Sequence, residues 1–282
     1  MSLLHIFILA IIQGVAELLP VSSSAHVIVA EKLLGLDPTT PQMTLLLVML
    51  HTGTMFAVIV YFWKSWHQTY FSSAQQFRTN GARIFAATAV TGLIGLALIQ
   101  MIKHFFFRNA PGFEIEQLFG SARLMAAALA SAGILIILSS RRTVAAGTKD
   151  VSMRSALWIG AVQGLCLPFR GFSRSGATIS TGLTLGVDRR RAEQFSFALA
   201  VVLTPVVIVK EVYRLHKVDM ALSTGETGAL WHSLGPGLLG MVLSFLMGLV
   251  ALHWLSQWLE QGRWYIFGAY CLFASLVVLW IG

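Results

Sequence analysis

Gln13-Gly14-Val15-Ala16-Glu17-Leu18-Leu19-Pro20-Val21-Ser22-Ser23-Ser24-Ala25-His26 is the stretch on which the fold turns. Apolar residues flank it on both sides, but Glu17 and Pro20 interrupt it. It therefore cannot belong to an unbroken run of roughly 20 apolar residues, the length needed to cross a hydrocarbon core about 30 Å thick. Segments 1–16 and 18–30, split at Glu17, are too short to cross: at ~1.5 Å of rise per residue each reaches only about two-thirds of the way. Pro20 ends the first half-helix, since proline lacks the N–H that a helix interior needs. Segments 155–169 and 175–187, split by Arg170 and Arg174, repeat the pattern. Each pair is expected to form a re-entrant hairpin that enters and leaves by one face, with its non-helical backbone lining a walled or watery cavity.

The rest of the chain supports a lipid environment. Of its 282 residues 56% are hydrophobic and 11% charged. Mean hydropathy is +0.74. A soluble domain carries about 25% charged residues. The net charge of +8 does not indicate nucleic acid, because the basic residues lie scattered over short loops. Cys166 and Cys271 sit in apolar runs and are read as small buried hydrophobes without a redox or metal role. The first twenty residues are read as structure rather than a leader, because no Lys or Arg precedes the apolar run and Gln13 and Glu17 interrupt it.

Six segments are long enough to span: roughly 42–63, 84–102, 118–140, 193–213, 232–258 and 264–282. The order is hairpin, three spans, hairpin, three spans. Gln13 and Gln163, Gly14 and Gly164, and Ser23 and Ser173 match at an offset of 150. The expected fold is an all-α integral membrane protein made of two repeats, 1–140 (hairpin 1–36) and 151–282 (hairpin 154–187). Three spans is an odd number, so the second copy is inverted relative to the first, an arrangement that places a site at the midplane between paired broken helices. On this topology one side carries Lys64, Arg78, Arg83, Arg141, Arg142, Lys149, Arg154, Arg189, Arg190, Arg191 and Arg263. The other carries Lys32, Lys103, Arg108, Lys210, Arg214 and Lys217. The richer side is expected to be cytoplasmic, which puts both termini and the first hairpin on the outer side.

Charges at membrane depth cost several kcal/mol unless paired or hydrated, so Glu17, Arg170 and Arg174 are candidate site residues; a structural ion pair is the bland alternative. Gln13 and Glu17, four apart on one helix face, can approach the same ligand or metal. Ser22, Ser23 and Ser24 precede a helix whose first N–H groups can point at an anion, although serines before a helix also serve simply as caps. Ser23 and His26 lie three apart, which brings a hydroxyl and a base together. In Gly171-Phe172-Ser173-Arg174-Ser175-Gly176-Ala177-Thr178 a guanidinium and three hydroxyls meet a helix start, a cradle for phosphate or another anion. His51, within Leu50-His51-Thr52-Gly53-Thr54, is a second-tier candidate. Arg123 and Glu193 rank lower. His5, His67, His104, His216, His232 and His253 show no ligand spacing.

These motifs resemble those of the undecaprenyl-diphosphate phosphatase family, also called bacitracin-resistance proteins, over the full chain. Gln13-x-x-x-Glu17 is similar to its (Glu/Gln)-x-x-x-Glu motif. Pro20-Val21-Ser22-Ser23-x-x-His26 resembles the segment that follows it, and Gly171 to Thr178 resembles its Pro-Gly-x-Ser-Arg-Ser-x-x-Thr motif. The resemblance implies a metal-dependent membrane enzyme, using Mg²⁺ or Ca²⁺, that converts undecaprenyl diphosphate to the monophosphate and recycles the lipid carrier for the bacterial cell wall, at a site open to the periplasm. Carried over by position, Gln13 and Glu17 bind metal or act as acid and base. The nucleophile is Ser23, His26 or water. Ser173, Arg174, Ser175 and Thr178 hold the diphosphate, with Arg174 also catalytic; Ser22, Ser24 and Arg170 are further candidates for diphosphate binding, outside the carried-over set. Two positions depart: Gln13 removes one charge from any metal site, and Arg170 stands where the pattern has proline. Expected partners are the C55 polyprenyl diphosphate and the bilayer, with a homodimer left open and no nucleic acid. The alternative is a transporter or flippase of a polyprenyl phosphate, since broken helices in inverted repeats are also a transporter architecture.

Overall fold

Two prolines set the breaks. Proline disfavours helical conformation in the residue before it and cannot donate to the helix ladder. Helix α1 (Leu3–Leu18) ends two residues before Pro20, and α6 (Met153–Cys166) ends two residues before Pro168. In a computed structural model describing residues 2–37, 40–107, 121–142, 149–169, 171–222 and 227–281, the described chain forms ten α-helices. The others are α2 (Ser23–Leu33), α3 (Pro41–Tyr70), α4 (Ala74–Phe107), α5 (Ala122–Arg142), α7 (Arg174–Thr184), α8 (Arg189–Leu222), α9 (Thr227–Glu260) and α10 (Tyr265–Ile281). The order is two short helices, three longer ones, two short, three longer.

The first break lies at 19–22, around Pro20 as expected, and not at Glu17, where the apolar run is interrupted. Glu17 stays inside α1, because a carboxylate does not stop a helix as proline does. Among the described residues five helices, rather than the six expected, have the length and composition of a membrane span: Gln42–Tyr70, Ala74–Phe105, Ala122–Arg141, Arg189–Val209 and Leu234–Glu260. With 17 residues α10 is at the lower limit of spanning length. Helices α3 and α4 run well past the apolar segments 42–63 and 84–102. Hydropathy marks where a helix leaves an apolar medium, which need not be where it ends.

The surface is that of a multi-pass membrane protein. Phe85, Leu93, Phe105, Phe273 and Trp280 are all exposed, Trp280 to 88%. A water-soluble monomer rarely exposes such continuous apolar surface. Between helices that share a lipid solvent, close backbone approach replaces hydrophobic burial as the source of packing energy. Gly14 brings α1 onto α9, where an added Cβ would lie 2.7 Å from Met247 Cβ and 2.8 Å from the Ser244 carbonyl oxygen. Gly164 brings α6 onto α4, where a Cβ would meet the Thr91 carbonyl oxygen at 2.9 Å. Thr91 Oγ1 donates to the Gly160 carbonyl at 2.9 Å across that contact. Helices α5 and α10 pair alongside, and α3 packs on both α8 and α9.

The Gly14→Ala substitution is expected to lower the melting temperature in detergent, with a stability loss of about 1–3 kcal/mol from overpacking. Gly81→Ala, in a helical position with open space around it, should be neutral or slightly stabilising. Equal melting temperatures for the two variants would contradict the close α1–α9 contact.

Candidate functional site

Residues from four helices converge on the carboxylate of Glu17, in the last turn of α1. From the start of α7, Arg174 Nη2 donates to Glu17 Oε1 at 2.9 Å. From the start of α2, Ser23 Oγ donates to Oε2 at 2.5 Å. Gln13 Nε2, one turn back on α1, donates to the same oxygen at 3.3 Å. From α3, His51 Nε2 lies 3.8 Å from it. His51 Nδ1 is 2.8 Å from the Leu47 carbonyl, which only accepts, so this nitrogen carries a proton. The Glu17 side chain is only 14% exposed. Few protein positions could hold it charged without the guanidinium beside it, and Arg174 needs the carboxylate equally.

Both breaks are built to bring these groups together. Ser22 adopts φ 67°, a left-handed conformation uncommon for a serine, and this turns the chain so that α2 begins at Ser23. Gly171 has φ 101°, and a Cβ there would come within 2.5 Å of the Met125 carbonyl oxygen, so the second break needs glycine on both counts. Ser173 caps α7, its Oγ accepting from the Gly176 N–H at 3.2 Å. Ser175 Oγ donates to the Leu19 carbonyl at 3.4 Å, tying the second break to the first. Cys271 Sγ donates to the Pro20 carbonyl at 3.2 Å.

The remaining candidates lie close by but face other groups. Thr178 is fully buried, donating to the Arg174 carbonyl at 2.8 Å and sharing a hydrogen bond of 2.5 Å with Ser196 on α8. Ser22 and Ser24 hydroxyls lie 3.4 Å apart. His26 turns away from Ser23: its Nδ1 is 2.8 Å from the Ser22 carbonyl and its Nε2 is 2.7 Å from the hydroxyl of Tyr270 on α10. Arg170 lies outside the described residues. Sequence reasoning missed Tyr270, a residue 244 positions from its partner in an unremarkable apolar run. It placed His51 second, although His51 stands beside the central carboxylate.

Two oxygen donors, the Glu17 carboxylate and the Gln13 amide, could serve a hard divalent cation. Turning the amide over would bring its oxygen beside Glu17 Oε2, an orientation that heavy atoms alone do not distinguish. Among the described residues no group of three or more His, Cys, Asp or Glu side chains gathers as a ready cage. The set suits the manner in which Mg²⁺ is commonly held, by one or two carboxylates with phosphate oxygens completing the shell.

This geometry can hold an anion at a guanidinium and a helix start while a carboxylate draws the proton from a hydroxyl, an arrangement suited to phosphoryl transfer. The chain's relatives have names in keeping with it. It is 64% identical over 280 residues, covering 99% of this chain and 98% of the relative, to "Undecaprenyl-diphosphatase 2" of Acinetobacter baylyi. It is 34% identical over 293 residues to "Undecaprenyl-diphosphatase" of Desulfosudis oleivorans, covering 98% of this chain and 97% of the relative. A protein of the same name from Rhodopirellula baltica is 30% identical over 280 residues, with 99% and 97% coverage. The family model described as "Bacitracin resistance protein BacA" matches residues 6–277. Near-complete coverage by that model and by these relatives places the chain in the BacA family.

Proposed function

We infer that this chain is an undecaprenyl-diphosphate phosphatase, which hydrolyses undecaprenyl diphosphate to undecaprenyl phosphate and inorganic phosphate and so returns the lipid carrier to cell-wall synthesis. The observation that carries the chemistry is the single carboxylate of Glu17, bonded to a hydroxyl from its own hairpin and to a guanidinium from the other.

Ser23 is the nucleophile in this reading. Its hydroxyl already donates to Glu17 Oε2, so the base is in place. His26 lacks a free lone pair for that task, with Nδ1 protonated toward the Ser22 carbonyl and Nε2 accepting from Tyr270. Ser23 Oγ attacks the terminal phosphorus and passes its proton to Glu17. The bond to the bridging oxygen breaks, that oxygen takes the proton from Glu17, and undecaprenyl phosphate leaves with the carboxylate ionised again. Water then attacks the phosphoserine and gives a proton to Glu17, the P–Oγ bond breaks as Ser23 Oγ takes that proton back, and inorganic phosphate departs. Arg174 uses one nitrogen on Glu17 and offers the rest of its fork to the phosphate oxygens, where charge accumulates during transfer. Ser173 and Ser175 keep the start of α7 aimed at that point, and Thr178 anchors its first turn. Ser22 and Ser24 shape the opposite wall, and His51 Nε2 stands 3.8 Å from Glu17 Oε2. Glu17 and Gln13 would hold Mg²⁺ or Ca²⁺, which would offset the diphosphate's charge.

The same reading takes the two halves as inverted repeats with re-entrant hairpins, the site opening to the periplasm and both termini on that side. The pairing of α1 with α9 and of α6 with α4 supports it, because each pair joins the first helix of one hairpin to a long helix of the other half. The matched breaks before Pro20 and Pro168 support it as well. Both hairpins come from one chain, so the site does not require a homodimer.

Phosphate release from undecaprenyl diphosphate by the purified chain in detergent tests the assignment. Glu17→Gln and Ser23→Ala are each expected to lower kcat by about 10²–10⁴-fold. Arg174→Lys, which keeps the charge but loses the fork, should lower kcat/KM by roughly 10–100-fold. Near-normal turnover in Ser23→Ala would give the attack to water. Near-normal turnover in Glu17→Gln would overturn the mechanism, and lipid translocation without phosphate release would favour a flippase.

A further inference from the structure

A cleft of about 260 Å³ opens between α2, α5 and α10. Its polar lining consists of His26 and Tyr270, and Val29, Leu33, Leu129 and Phe273 are among its apolar walls. Helices α2 and α10 run alongside each other along the cleft. His26 Nε2 meets the Tyr270 hydroxyl at 2.7 Å at one end, and near the other Lys32 Nζ donates to the Ile281 carbonyl at 2.9 Å. The His26 and Tyr270 rings lie nearly parallel, 13° apart, with centroids 5.6 Å from each other. His26 is pinned to the carbonyl of Ser22, next to the Ser23 that bonds Glu17, so the polar head of the cleft adjoins the reacting groups. Leu33 and Phe273 are well exposed, which leaves the cleft open on the side where lipid lies.

Resting on the phosphatase reading above, we propose that this cleft seats the first two isoprene units of the substrate's prenyl chain, and that the Tyr270–His26 pair marks the boundary between chain and diphosphate. Size and length agree. An engineered apolar cavity of 150 Å³ holds benzene, so 260 Å³ takes roughly ten carbons. From Tyr270 to Val278 α10 rises about 12 Å, close to the reach of two such units. The Tyr270 hydroxyl donates to His26 Nε2, because Nδ1 already carries the proton given to Ser22. Both polar groups are thereby satisfied at the head of the cleft, and the wall beyond them presents only hydrocarbon to the chain. The first carbons are read by the protein, and the remainder of the chain stays in the bilayer.

The test compares five-, ten- and fifteen-carbon prenyl diphosphates with the full chain in detergent, alongside Leu33→Trp and Val277→Trp, which fill the far end of the cleft from facing helices. In the unmodified chain kcat/KM should rise from five to ten carbons and then level off at fifteen. Each tryptophan should lower the ten- to five-carbon ratio of kcat/KM by at least about tenfold, since it excludes most of one apolar isoprene unit. Leu33 is exposed, so that variant guards against misfolding in the other. A steady rise through fifteen carbons, or no change of the ratio in either variant, would overturn the proposal and leave the cleft to bilayer acyl chains. Calorimetric binding of the same three diphosphates separates the two readings. Chain-length-dependent binding that the tryptophans abolish, without phosphate release from any substrate, would sink the phosphatase and keep the cleft. Binding indifferent to chain length would sink the cleft.

Discussion

The Glu17–Arg174 ion pair is the contact on which the site depends. Its members come from opposite halves of the chain, 157 residues apart, and meet at 2.9 Å. The Arg174 and Glu17 side chains are only 26% and 14% exposed, and an unpaired charge so far removed from water costs several kcal/mol. Each therefore holds the other's helix end in place. Ser23, Gln13 and His51 gather around the same carboxylate because a partly buried anion is stabilised by every donor within reach. A guanidinium offers five donors, and the bond to Glu17 occupies one of them.

Backbone chemistry sets this contact up. Pro20 and Pro168 stop two helices short of spanning length, and the freed backbone is absorbed by local bonds such as the Ser173 cap and the Ser175–Leu19 link. Glycine at 14 and 164 lets the first helix of each hairpin settle against a long helix of the other half. A helix break in one half thus leads to a packed seam with the other, and Glu17 and Arg174 sit on that seam. A membrane protein gains little from burying apolar side chains against each other, so close packing and paired polar groups carry more of the structure than they would in water.

Much of this was legible in the sequence because the cost of charge in lipid makes polar residues in apolar runs conspicuous. Glu17, Ser23 and Arg174 stood out for that reason, and the structure joins them. Helix ends were less legible. The polar ends of α3 and α4 look like loop to a hydropathy reading, although nothing in their composition prevents them from being helical. The serines and threonine around Arg174 were ambiguous from the start, since a hydroxyl at a helix start can serve either an anion or the helix itself. Here Ser173 caps α7 and Thr178 bonds within and beside it. The Tyr270–His26 link had no local signal, because a tyrosine in an apolar helix reads equally well as a lipid-facing residue.

A double-mutant cycle on phosphate release tests the central claim most directly. Glu17→Gln, Arg174→Gln and the double variant would be compared with the unmodified chain under one set of detergent conditions. If carboxylate and guanidinium act as one unit, the double variant should be about as slow as the slower single variant, because breaking either partner already disables the pair. Losses that multiply independently would show that the two residues serve separate purposes, and the seam between the hairpins would not be the catalytic centre.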